Sequence, residues 1–365
     1  MVSSAVSQIF KHARTSVKYL RGNFHVPFGE HDDYPEKLLY LVQNSPSLAT
    51  AIETKANFIA GDGIESINKF RCSDKYNFEQ LINTFAYQAS ALTAIAAHIR
   101  YNALGEIVEI TPAPPELVRY RDQNLNSFVV LPPNWLYENT AVYSEATKKV
   151  YNEYNPDKVF EEMVECGGAE NHNGQILYKW IANNDSFIYP RAMWHGAIQD
   201  ALVETELKKS KFRDVYNGFA PRILITEYAT GEQNQKQRDN RIEEYEKMLG
   251  SEGSGLLVQW ATSKDAKTDI EQINSLNLDK LYEYAEKSSK ESIMGIFRIP
   301  PTLYGVSPTG GIGDNKEMQN AVTYMQKIVI RREQALIENT IKELASKFMY
   351  LGNLEVGGIK NLTWI

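Results

Sequence analysis

The sequence predicts an α+β fold, and three observations predict it. Short apolar runs bounded by turn residues, between about residue 97 and residue 181, read as strands in a half that also carries helices. Two long helical patterns, 197–216 and 278–297, flank a small β-α-β insert. A third helical pattern follows a loop rich in glycine and carries an apolar face from Met318 to Leu344.

The chain has 365 residues and is 43% hydrophobic, enough for a sizeable core and for roughly two to three compact units. Lys and Arg total 39 against 46 Asp and Glu, a net charge of -7, so the average field does not favour a tight grip on nucleic acid. Cys72 and Cys166, the two cysteines, give no disulfide framework and no zinc cluster, which reads as an intracellular assembly site. The most apolar long stretch, Ile82 to Ala97, carries Asn83, Gln88 and Ser90 and falls short of the roughly 20 residues a membrane crossing needs, so it reads as a buried helix. The first 29 residues hold no Asp or Glu but include Lys11, Arg14, Lys18 and Arg21. That is the composition of a mitochondrial presequence or of a solvated basic arm, and the arm, over 1–34, is the preferred reading.

Ser45-Pro46 opens the first helix as an N-cap followed by proline at the first helical position, with Leu48, Ile52, Ala56 and Ile59 on one face. Gly61-Asp62-Gly63 ends it. A second helix starts near Asn77 and runs through the apolar stretch. Strands at 97–101 and 106–110 follow, turned by Ala103-Leu104-Gly105, then strands at 128–131 and 176–181. In the helix over 197–216, Asp200, Glu204 and Glu206 come early and Lys208, Lys209, Lys211 and Arg213 late, matching the helix dipole at both ends. Asn217-Gly218 supplies its stop. The insert reads as a strand at 222–228, a helix at 238–249 and a strand at 256–260. The helix over 278–297 has Asn277 as its cap and Gly295 as its weak spot. Pro300-Pro301 stop it, because proline has no amide hydrogen and pushes the preceding residue out of the α region. After the loop, Asp314-Asn-Lys-Glu317 reads as a capping box for an unbroken helix to about residue 347, roughly 45 Å long.

Candidate chemistry is sparse. Gly310-Gly-Ile-Gly313 before a helix has the composition of a phosphate cradle, but Lys316 is followed by Glu317 rather than Ser or Thr, and a helix rather than a strand precedes the loop. His195 is the histidine expected to be partly buried, and no metal-ligand spacing accompanies it. Glu162, Glu165 and the run Glu243 to Glu246 read as solvated faces. No Gly-x-Ser-x-Gly elbow is present. The reading is therefore of a non-enzymatic protein with no catalytic residue, metal or cofactor. A phosphate- or nucleotide-handling enzyme using Gly310 to Gly313 is the alternative.

In order, an α+β half, a charged helix ending in Asn-Gly, a small α/β insert, a helix ending in Phe-x-x-Pro-Pro, a flexible loop and a long final helix resemble the portal proteins of tailed bacteriophages, of the lambdoid HK97-like type. Asn44-Ser-Pro-Ser-Leu-Ala-Thr-Ala-Ile-Glu-Thr-Lys-Ala-Asn-Phe-Ile-Ala60 looks like that family's opening wing helix, and Ile99-Arg-Tyr-Asn-Ala-Leu-Gly-Glu-Ile-Val-Glu-Ile-Thr-Pro112 like its first hairpin. Phe212 to Gly218 and Ile296 to Gly305 look like its two most repeated phrases. The resemblance spans about residues 35 to 350.

The resemblance implies a wing over 35–196, stem helices over 197–217 and within 266–299, a clip over 218–265, a tunnel loop over 300–315, a tunnel helix over 316–348 and a strand over 349–365 that returns to the wing, with the helical crown absent or cut short. It implies a ring of typically twelve copies at one capsid vertex, in the virion, assembled in the host cytoplasm. Double-stranded DNA would pass along Val306, Ser307, Pro308, Thr309, Gly310, Gly311, Ile312, Gly313, Asp314, Asn315 and Lys316. The terminase large subunit and head-tail adaptor would dock on the clip through Glu227, Arg238, Arg241, Glu244 and Lys247, and the major capsid protein would surround the ring. No membrane partner is implied. Another ring protein of the head-to-tail connector is the second alternative.

Overall fold

A computed structural model describes residues 25–29, 31–121, 125–133, 149–181, 188–216, 223–228, 256–261, 278–304, 315–352 and 354–362. The chain divides into two compact units, one of Met1–Ala201 with Lys290–Ile365, the other of Leu202–Ser289.

The first unit opens with three helices, α1 (Tyr34–Asn44), α2 (Pro46–Ala60) and α3 (Phe78–Leu92). Ser45 serves both of the first two: its amide donates to the Leu41 carbonyl at 2.8 Å, closing α1, and its hydroxyl accepts from the Leu48 amide at 3.3 Å, capping α2. Helix α2 stops at Gly61, whose φ of +54 suits glycine and whose missing Cβ would stand 2.0 Å from the Lys360 carbonyl oxygen. Asn77 and Gln80 form a reciprocal capping box at the start of α3, at 2.8 and 3.0 Å.

The expected continuation of that helix to Ala97 is corrected. Helix α3 ends at Leu92, Thr93 takes a left-handed φ of +63, and Ala94 already belongs to strand β1 (Ala94–Tyr101). The Thr93 hydroxyl accepts from the Met193 amide at 3.0 Å, which fixes the turn. A continuous apolar run reads alike as buried helix or buried strand, so periodicity gave no warning of the switch.

Strands β1, β2 (Ile107–Pro112), β3 (Val118–Tyr120), β4 (Ser127–Val130), β5 (Tyr151–Glu153) and β6 (Gln175–Trp180) form one sheet in the order β2-β1-β6-β5-β4-β3. Pairing is antiparallel except for β5 with β6, so the sheet is mixed and the α+β class holds. The expected hairpin turn at 103–105 joins β1 and β2, with Gly105 at φ +72 lying under the Phe160 ring of helix α4 (Val159–Glu165). Helix α3 packs over β1 and β2, and Phe78, Phe85, Ile95, Ile99 and Ile110 are fully buried there. Helices α1 and α4 and strands β3 and β5 had no counterpart in the sequence reading.

The basic arm does not extend to residue 34 as a solvated segment. His25 to Gly29 are buried, the Val26 amide donates to the Tyr120 carbonyl at 2.7 Å, and the Phe28 ring stacks on Tyr189 at 4.3 Å between centroids. Residues 1–24 lie outside the described residues.

The unbroken final helix is also corrected. Helix α7 (Asn315–Tyr324) passes through a π-helical turn, Met325–Val329, to Ile330, and α8 (Arg331–Ser346) follows. Residues 354–362 return to the end of α2 without forming a strand: the Asp62 amide donates to the Lys360 carbonyl and the Lys360 amide to the Gly63 carbonyl, both at 2.8 Å. Trp364-Ile365, the expected strand, lies outside the described residues.

The boundary of the second unit falls within two helices, α5 (Ile198–Tyr216) and α6 (Leu278–Ile296). Lys211 of α5 pairs with Glu286 of α6 inside this unit. Strands β7 (Ile223–Tyr228) and β8 (Leu256–Ala261) pair in parallel from Ile223↔Leu256 to Tyr228↔Ala261. A parallel pair needs a crossover, which agrees with the β-α-β reading. The helix expected at 238–249 and the caps Asn217-Gly218 and Asn277 lie outside the described residues.

Candidate channel loop and its anchors

The candidate loop is defined by its two shoulders. Helix α6 ends in a Schellman motif: the Ile299 amide donates to the Met294 carbonyl and the Arg298 amide to the Gly295 carbonyl, both at 3.0 Å. Met294, Phe297 and Ile299 are buried and hold this corner. The left-handed position, which glycine normally takes, is occupied by Arg298 at φ +57, with its side chain exposed. Pro300 follows, then a 3-10 turn over Pro301–Tyr304, where Lys290 stands over the Tyr304 ring at 5.5 Å. Partial burial, reinforced by Glu291, raises the Tyr304 phenol above its ordinary range.

On the far side, α7 starts at Asn315, with Lys316 and Glu317 exposed and Ala321, Val322 and Met325 buried. Residues 306–314, the rest of the candidate loop and the Asp314 cap with them, lie outside the described residues. Of the residues expected in a clip, Glu227 belongs to β7, where its backbone pairs with Trp260. Arg238, Arg241, Glu244 and Lys247 lie outside. The described residues thus give the candidate loop two anchored ends in the first unit and place a parallel strand pair in the second, within the segment expected to be a clip.

Two ionic groups in the first unit carried no signal in the sequence. Asp32 accepts from Arg119 Nε at 2.7 Å and the Phe28 amide at 2.6 Å, and lies 2.5 Å from His25 Nε2. Burial works to raise the Asp32 pKa, but Arg119, with His25, outweighs it and holds the carboxyl below its ordinary value. Lys55 of α2 reaches Glu333 in the first turn of α8. Both groups tie distant segments together and offer no open coordination or nucleophile. His195 is half-buried, as expected, with Nδ1 3.0 Å from the Tyr34 hydroxyl. Glu162 is not on a solvated face: it meets His172 at 3.1 Å and accepts from Gln175 at 2.9 Å. Glu165 is exposed. Among the described residues no three His, Cys, Asp or Glu side chains are grouped to hold a metal ion.

No family model and no curated protein matches the chain. Solved structures do. A chain from the virion of a native gene transfer agent particle matches with a TM-score of 0.52 and 12% identity, covering 98% of this chain and 88% of that one. A chain from the neck of the native particle, computed with C12 symmetry, matches with a TM-score of 0.50 and 11% identity, over 95% of this chain and 87% of that one. An HK97 family phage portal protein from Corynebacterium diphtheriae follows at a TM-score of 0.45 and 8% identity, over 83% of this chain and 88% of that one. The chain shares its α+β fold with these gene transfer agent virion and neck chains. At these identities the likeness is one of fold.

Proposed function

We propose that the protein is a portal subunit, which assembles as a ring, of twelve copies in this reading, at one capsid vertex and forms the channel through which double-stranded DNA is packaged and ejected. The observation that carries the reading is the element order: helix α5, a parallel-strand insert, helix α6, a loop and helices α7 and α8, in a fold shared over nearly the whole chain with the virion and neck chains. Residues 306–316 would line the channel as a tunnel loop. Glycine there lets the loop yield, and a net acidic subunit suits a conduit that must release phosphates as readily as it meets them. The clip, with Glu227, Arg238, Arg241, Glu244 and Lys247, would dock the terminase large subunit and the head-tail adaptor, and the wing would meet the major capsid protein. The ring itself performs no chemistry in this reading.

Native mass measurement and axial electron micrographs of the purified protein test the reading. A closed ring with a central channel wide enough for duplex DNA is expected. Only monomers or dimers under capsid-assembly conditions would overturn it.

A further inference from the structure

Five large apolar side chains crowd the surface around the β1–β2 turn. Leu104 is 72% exposed, Phe160 57% and Val164 81%, and Met349 and Tyr350 are exposed beside them. Contacts tie them into one surface: the Phe160 ring lies against Gly105, Asn102 Nδ2 is 3.5 Å from Met349 Sδ, and the Tyr350 ring is 5.6 Å from the buried Phe348. Phe160 and Val164 stand four residues apart on α4, on one face. Exposed apolar clusters of this kind mark interaction sites. Their rim is acidic: Glu106, Glu161, Glu165 and Glu170 are exposed, and none of the four has an ion pair among the described residues. Lys158 and Lys347 are the cations nearby in sequence, and the surface stays acidic on balance.

The segment before His25 has the complementary pattern. At helical spacing Val6, Ile9, Phe10, Ala13, Val17 and Leu20 fall within an arc of about 100°, and Lys11, Arg14, Lys18 and Arg21 occupy about the next 80°. No acid interrupts either stripe. The segment is tethered where Val26 pairs with Tyr120 of β3, at one edge of the sheet, while β2 forms the other edge. Five strand spacings of about 4.8 Å separate the two edges, some 24 Å, within reach of a short linker followed by a helix of about 25 Å.

We propose that residues 5–21 fold as a basic amphipathic helix that seats on the Leu104, Phe160 and Val164 surface of the same chain, with its apolar stripe on those side chains and its cations against Glu106, Glu161 and Glu165. The seating covers an apolar surface in the free subunit and explains the charge of the segment without a nucleic-acid or organelle partner. It does not depend on the portal reading.

Cys166, exposed at the end of α4, supplies the test. The other cysteine, Cys72, is buried, and burial pushes its thiol up to about 12. In the full chain carrying Val17→Cys, mild oxidation is expected to form a disulfide with Cys166 within one subunit, detected by mass on a non-reducing gel band and abolished by Cys166→Ser. Glu161→Lys with Glu165→Lys is expected to slow its formation about fivefold. In parallel, removal of residues 2–21 is expected to speed amide exchange over 159–166. Absence of the disulfide, a disulfide only between copies, insensitivity to the charge reversal, or unchanged exchange would each overturn the proposal. So would binding of the segment to phosphatidylserine vesicles with 159–166 left unprotected in the free protein.

Discussion

Lys55 Nζ lies 2.5 Å from Glu333 Oε1, with 5% and 1% of the two side chains exposed, so a buried ion pair joins helix α2 to the first turn of α8, immediately after the π turn. The second carboxylate oxygen, Oε2, has no hydrogen-bond partner, so Lys55 carries much of the compensation. Lys55→Met is expected to destabilise the protein by about 3–5 kcal/mol, because it strands a buried charge. Lys55→Met with Glu333→Leu is expected to recover most of that loss, since two well-packed apolar side chains need no partner. Denaturant midpoints of the two variants against wild type check both values.

Arg119 is wholly buried, with Asp32 as its nearer counter-charge at 2.7 Å and the partly exposed Glu36 at 3.5 Å. Asp32→Asn is expected to cost about 3 kcal/mol or more for the same reason. The folded pKa of Asp32 lies below the ordinary 3.8. Its contribution is therefore complete above that value and is lost as pH falls from there through the lowered folded value. Acid unfolding should show this loss in wild type, and the Asp32→Asn variant should lack that part of the slope.

Burial holds His98 and His195 below their ordinary 6.5, and neighbouring Arg100 and Arg191 push the same way. A depressed histidine makes the unfolded chain the better proton acceptor, so stability should rise with pH through the window just below 6.5 and fall as acid is added. His98 Nε2 lies 2.7 Å from the Asn173 carbonyl oxygen, so it donates there as the neutral ring's N–H. His98→Gln keeps a donor but does not titrate, and should flatten the pH dependence of the unfolding temperature in that window.

At Arg298 the left-handed backbone strains any residue with a Cβ. Arg298→Gly is expected to stabilise the protein by about 0.5–1 kcal/mol once the larger entropy of unfolded glycine is set against the relieved strain. A rise in unfolding temperature checks it, and a fall would show that the guanidinium holds the corner.

On the proposed portal reading, deleting Pro308 to Gly313 is expected to leave ring assembly intact and to impair DNA packaging or retention. Native mass and packaging assays on the same deletion separate the two outcomes, and loss of the ring would contradict the tunnel-loop assignment.

Local chemistry was legible wherever a backbone group had a named local partner. Ser45-Pro46, the Asn77 box with Gln80 and the turn at 103–105 each announced an element, because caps and turns are satisfied within a few residues. What failed to show depended on distant partners. Ala94 to Ala97 became strand because β6 pairs with them, and His25 to Gly29 became core because Tyr120 and Tyr189, far along the chain, bind them. The π turn at 325–329 has no proline or glycine to announce it. The order of helices and strands after residue 197 was legible as pattern, while the loop's shoulders, with a strained arginine where glycine was the natural choice, came from geometry.

The exchange of hydrogen bonds between Lys360 and residues 62 and 63 has a consequence for biosynthesis. The first unit is discontinuous, and the carbonyl that meets Asp62 leaves the ribosome only after the whole Leu202–Ser289 unit has emerged. The second unit can form on the nascent chain while the first still lacks α7, α8 and its closing segment. Emergence of residue 360 thus acts as a checkpoint: a chain stalled before it has the inserted unit but an open end on α2.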